Sequence, residues 1–131
     1  MARNLNKTKG RREIMSFLMV PHAILKSQAY VGLSAKSVKL LFDLFAQFKG
    51  SNNGDFSVAW GIMKHKGWKS RDTLTKALRE LEQSELIEKT RQGGRNLCSL
   101  YAVTWLAINE CNGKLDVRET RVSSGKWKKK S

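Results

Sequence analysis

Between Lys69 and Arg79 the polar residues recur as a set of donors suited to gripping an anionic polymer. Lys69, Arg71, Thr73, Lys76 and Arg79 can reach phosphate oxygens or the edges of bases, where arginine and lysine match guanine acceptors and hydroxyls match either. At about 100° per residue, Asp72, Lys76, Arg79 and Gln83 share one side of a helix, flanked by Lys69, Thr73 and Thr75. The other side is the apolar stripe Leu74, Ala77, Leu78 and Leu81. Asp72 lies in the first turn, where it stabilises the positive end of the helix dipole; acceptance from a cytosine amino group is its other role. A second basic group, Arg91, Arg95 and Asn96, surrounds Gly93-Gly94.

No constellation for catalysis accompanies these donors, and the chain is read as a non-enzyme without a cofactor. Gly125-Lys126 has Thr120 where a phosphate-binding loop needs its first glycine, and no GxSxG elbow occurs. His22, His65, Cys98 and Cys111 lack the spacing of a zinc site, so no metal is expected. Glu80, Glu82, Glu85 and Glu88 read as solvated helix surface.

The elements that must position the donors follow from period and punctuation. Ser70 can cap the helix that runs to Glu85. Leu86–Arg91 and Leu97–Trp105 then form two β-prone runs around Gly-Gly, a hairpin whose tip would carry Arg91, Arg95 and Asn96. Upstream, Ser34 opens a helix with Val38, Leu41, Phe42 and Phe45 on one side, widened by Leu40 and Leu44. The loop Gly50–Gly54 and a short strand at Asp55–Ser57 follow it. Ser57 is placed to cap a second helix over 58–66, stopped by Gly67, with Trp68 packing in the turn. Before Pro21 the run IMSFLMV is a candidate extended segment on the domain, and 105–111 reads as a short closing helix.

The phrase TLTKALRELEQSELIEKTRQGG resembles the recognition helix, second strand and wing of the winged helix-turn-helix family, and the likeness extends over Leu33 to Trp105. The NNG loop and the closing VTW are similar to those of small winged-helix proteins of phages and plasmids, including the DNA-binding domains of replication initiators. The resemblance implies an α+β fold: a three-helix core with a β-hairpin wing, plus N- and C-terminal extensions. It implies sequence-specific double-stranded DNA binding, as a replication-initiator-type or transcriptional regulator. Lys69, Arg71, Thr73, Lys76 and Arg79 would then serve the major groove, and Arg91, Arg95 and Asn96 the backbone or minor groove.

Charge agrees with a polyanionic partner: the 131 residues carry 25 basic and 11 acidic side chains, a formal +14. Its distribution divides the chain. Residues 1–12 hold five basic and no acidic side chains and read as a disordered arm, while 112–131 hold seven basic and two acidic and read as a solvated tail. Residues 13–111 are the expected winged-helix domain. No apolar run reaches the roughly 20 residues of a membrane span, and no signal-peptide core follows the basic start, which points to the cytoplasm, with the nucleoid as location when DNA is bound. A winged helix that docks on a protein partner, such as a replisome or host-defence component, and RNA binding through the tails are the alternatives. A homodimer stays open.

Overall fold

The computed structural model describes residues 15–130, so the arm expected at 1–12 lies outside the described residues. Pro21, with its φ of −61°, leads into α1 (His22–Lys26), and Ser27 breaks the chain and restarts it as α2 (Gln28–Val31). The Ser27 hydroxyl donates to the Ile24 carbonyl at 2.6 Å and accepts from the Tyr30 N–H at 3.2 Å, so one side chain closes one helix and opens the next. From Met15 to Val20, ahead of Pro21, there is no regular structure. Met15, Phe17 and Met19 are 81%, 81% and 75% exposed, so this segment is not packed into the domain as its composition suggests. An extended chain alternates its side chains, and only Val20 joins the core.

Ser34 caps α3 (Ala35–Phe45) by accepting from the Ser37 N–H, as its place in the sequence predicts. Leu40, Leu41, Leu44 and Phe45 are buried, and Phe45 meets Phe48, Phe56 and Trp105 in stacked and edge contacts. Then come β1 (Phe56–Ser57), α4 (Trp60–Met63) with a 3-10 turn at Lys64–Lys66, α5 (Arg71–Ser84), β2 (Ile87–Arg91) and β3 (Leu100–Val103). The fold is thus mixed α+β: five helices and one antiparallel sheet, in the order β1-β3-β2, among the described residues. Ser57 does not cap α4. It belongs to β1, where the Gln47 side chain imitates a neighbouring strand by donating to the Ser57 carbonyl (2.8 Å) and accepting its N–H (2.9 Å).

Glu80 is not idle surface. Its carboxylate accepts from the Ser34 N–H (3.0 Å) and from the hydroxyls of Ser34 and Ser37, tying α5 to the start of α3. Those hydroxyl bonds first, and the backbone bond after them, hold its carboxyl below the ordinary value of 4.5. A group depressed in the folded state stabilises above its unfolded pKa and loses that contribution as pH falls through its folded one. Glu80→Gln should therefore cost about 1 kcal/mol at pH 7, and urea unfolding at pH 3 should show a smaller gap between the two proteins. An equal gap at both pH values would mean the carboxylate charge is not what matters.

All four residues of β3 are buried, so the strand is covered on both faces. Tyr101 and Val103 belong to the core with the helices, and burial pushes the Tyr101 phenol up to about 12. Leu100 and Ala102 are also buried but lie outside that core cluster, and the residues after Val103 bond back to the sheet and its margins. The Asp116 N–H donates to the Thr90 carbonyl (2.8 Å), the Gly125 N–H to the Thr104 carbonyl (3.0 Å), and Lys126 pairs with Glu88 at 3.0 Å. Trp127 packs on the core. The solvated tail expected beyond residue 112 does keep most of its residues exposed, but it is tied to the domain at these points rather than free of it.

The closing helix expected at 105–111 is likewise absent. The amide of Asn53, at 0% exposure, donates to the carbonyls of Leu106 (3.2 Å) and Ala107 (3.0 Å), which a helix would have spent on its own backbone. The segment stays irregular, with a single 3-10 turn at Cys111–Gly113.

Candidate nucleic-acid interface

The N-terminus of α5 is built by Gly67, Trp68 and Ser70. Gly67 takes φ +92° and stops the preceding turn, a conformation that favours glycine. The Trp68 indole is buried and donates to Asp43 at 2.8 Å, which fixes the turn to α3. Ser70 then accepts from the N–H groups of Asp72 (3.1 Å) and Thr73 (3.3 Å). With Leu74, Ala77 and Leu81 buried, the opposite face of α5 turns to solvent.

That face holds most of the donors the sequence assigns to it. Lys69, Arg71, Asp72, Lys76 and Arg79 are exposed, while Thr73 is half-buried and lies on the flank toward α3. Asp72 and Lys76 pair at 3.2 Å across one turn with both side chains largely in water, so the pair adds little stability and leaves Lys76 free to exchange partners. The Arg71 guanidinium lies 5.6 Å from the centre of the Trp60 ring, which directs it along α4. Arg79 enters no ion pair among the described residues.

The hairpin carries fewer free donors than its sequence suggests. Gly94 and Leu97 bridge to each other, so the tip is Arg95-Asn96, with Asn96 at φ +59°, a left-handed value asparagine tolerates. Arg91 is not at the tip. Its guanidinium donates twice to the Cys98 carbonyl, at 2.7 and 3.2 Å, which clamps the base of the hairpin because two fork-shaped donors converge on one acceptor. Of the three hairpin residues, Arg95 and Asn96 remain exposed for a partner and Arg91 is structural and half-buried.

The sequence reading omits Lys36 and Lys39, which α3 brings beside Lys69 and Thr73 at the start of α5. Their i, i+3 spacing at the front of an amphipathic helix is the one signal that precedes the structure. Among the described residues no group of three or more His, Cys, Asp or Glu comes together to hold a metal. His22 and His65 are exposed and apart from such a group, and burial first, with Asp55 adding to it, pushes the Cys111 thiol up. No described helix is long and apolar enough to cross a membrane. Neither a protein-family model, nor a curated protein, nor a solved structure matches this chain.

Proposed function

We propose that this protein binds double-stranded DNA as a winged helix-turn-helix, in a replication-initiator-type or transcriptional regulatory role. The observation that carries the reading is the outer face of α5, where Lys76, Arg79 and the neighbouring Lys69 and Arg71 stand exposed on a rigid, capped helix. The order α3, β1, α4, α5, β2, β3, with β1 on one edge of the sheet, suits that family. In this reading α5 enters the major groove, Arg79 is the candidate for a bidentate base contact, and Lys69 and Lys76 neutralise phosphates. Arg95 and Asn96 at the hairpin tip follow the backbone or the minor groove. The net +14 supplies long-range attraction and a steep salt dependence.

The test is fluorescence anisotropy of a labelled random duplex pool at two salt concentrations. Lys76→Ala/Arg79→Ala should lose ~1–3 kcal/mol for the arginine base contact, and the salt slope should fall by about one for the lysine. Deleting residues 112–131 is unsuitable as a control, because Asp116 and Lys126 bond to β2 and Trp127 packs on the core. Arg118, Arg121, Lys128 and Lys129 are exposed and can be changed to glutamine instead. Binding that survives the α5 substitutions and vanishes with these four would refute docking through α5 and favour RNA or a protein as partner.

A further inference from the structure

A small cleft opens where α3 passes the start of α5. Its volume is about 100 Å³, and its walls include Lys36, Lys39, Trp68, Lys69 and Thr73. At ~10–15 Å³ of such space for each water, that is room for several waters, enough to seat a tetrahedral oxyanion. The charge around it is unbalanced. Lys39 is offset by Asp43 at 2.9 Å, whereas Lys36 and Lys69 enter no ion pair among the described residues.

The donors are partly arranged in advance. The Lys39 ammonium donates to Asp43 (2.9 Å) and to the Lys66 carbonyl (2.7 Å) and sits 5.7 Å from the centre of the Trp68 ring. An ammonium has three donors, so one is left over, and the group that carries it borders the cleft. Thr73 is half-buried and borders the cleft, where its hydroxyl is a further donor. The first amides of α5 already bond to Ser70, so attraction for an anion rests on the lysine cluster and not on the helix end.

We infer that this cleft is a phosphate site, formed by Lys36, Lys39, Lys69 and Thr73, that seats one backbone phosphodiester of a duplex lying against α5. The inference rests on the DNA-binding reading and adds to it a contact from α3, a helix outside the one that would read bases. A phosphate held there would fix where along the groove α5 begins, and so would set register without reading sequence.

Two measurements test it. In 15N–1H spectra, inorganic phosphate alone should shift the amides around Lys36, Lys69, Ser70 and Thr73, and the shifts should disappear in Lys36→Ala/Lys69→Ala. Shifts spread evenly over the surface lysines, or none, overturn the site. Against duplexes of several sequences, the same double variant should weaken binding uniformly and lower the salt slope by about one, for the one phosphate the cleft neutralises. An unchanged slope overturns the assignment to the duplex backbone. Should the intact protein bind no duplex at all, the DNA reading fails first, and a phosphate response confined to the cleft would then assign the site to a free phosphate ligand, overturning the backbone contact. Both substituted lysines are exposed, so the thermal midpoint should stay at the wild-type value.

Discussion

Asn53→Ala is expected to remove ~3–5 kcal/mol of stability, a large share of the 5–15 kcal/mol that holds a typical domain together. The side chain is wholly buried and serves four backbone groups. Its Oδ1 accepts the Val103 N–H (2.9 Å), and its Nδ2 donates to the carbonyls of Val103 (3.2 Å), Leu106 (3.2 Å) and Ala107 (3.0 Å). An amide nitrogen has two hydrogens, so one of these is shared between carbonyls. Truncation leaves buried donors and acceptors without partners, and each costs about 1–3 kcal/mol unless water reaches it.

The damage would spread along the chain, because Asn53 also exchanges backbone bonds with Asn109, donating to its Oδ1 (2.8 Å) and accepting its N–H (3.0 Å). Without the hub, β3, the 106–109 segment and the C-terminal residues lose their common anchor. Urea unfolding followed by tryptophan fluorescence should show a midpoint well below wild type. A loss under ~1 kcal/mol would mean that water substitutes for the amide at little cost.

Gly93→Ala should disable the hairpin and leave the core folded. A Cβ at this position would lie 2.6 Å from the Leu97 carbonyl oxygen, 2.6 Å from the Ser99 nitrogen and 2.8 Å from the Ser99 hydroxyl. Two of these atoms are backbone, so no rotamer change relieves the contact. The two sides of the hairpin must separate, at a local cost of ~2–3 kcal/mol. The Gly93 N–H bond to the Ser99 hydroxyl (2.9 Å) goes with it, and Arg95 and Asn96 lose their fixed place. Hydrogen exchange should show protection lost over 92–99 with α3 and α5 unaffected. Duplex affinity should fall at least as far as in Arg95→Ala. Gly94→Ala is the control: nothing lies within 4 Å of its added carbon, and it should behave as wild type.

The two substitutions probe different depths of legibility. Gly93-Gly94 is visible in the sequence as a turn signal, but which glycine is indispensable depends on the chain crossing it at Leu97 and Ser99. Asn53 is visible only as one letter of a polar loop, and a residue type that favours turns is here the most deeply bonded polar group in the sheet's surroundings. Loop composition speaks of φ and solvent; it cannot register that Val103, 50 residues later, needs a partner.

Much of the helical framework was written locally. The Ser34 and Ser70 caps, the stop at Gly67, the burial of Leu74, Ala77 and Leu81, and the exposure of Lys76 and Arg79 all follow from bonds and periods confined to a few neighbouring residues. The run Leu97–Trp105 was legible as β-prone, but that Leu100–Val103 is buried on both faces was learned from the structure. The packing of Trp127 on the core was masked by charge, since lysines around a tryptophan look solvated until the indole meets a core.

Sequence by itself determined where α3 and α5 begin and that α5 turns a basic face outward, because capping and amphipathic period are short-range properties. Tertiary structure alone decided that Arg91 clamps the hairpin, that Glu80 joins two helices, that Lys36 and Lys39 meet Lys69 at a cleft, and that Asp116 and Gly125 tie the C-terminal residues back to the domain. Each of those depends on an encounter between residues distant in the chain or on the competition for one carbonyl, and neither is encoded in local spacing.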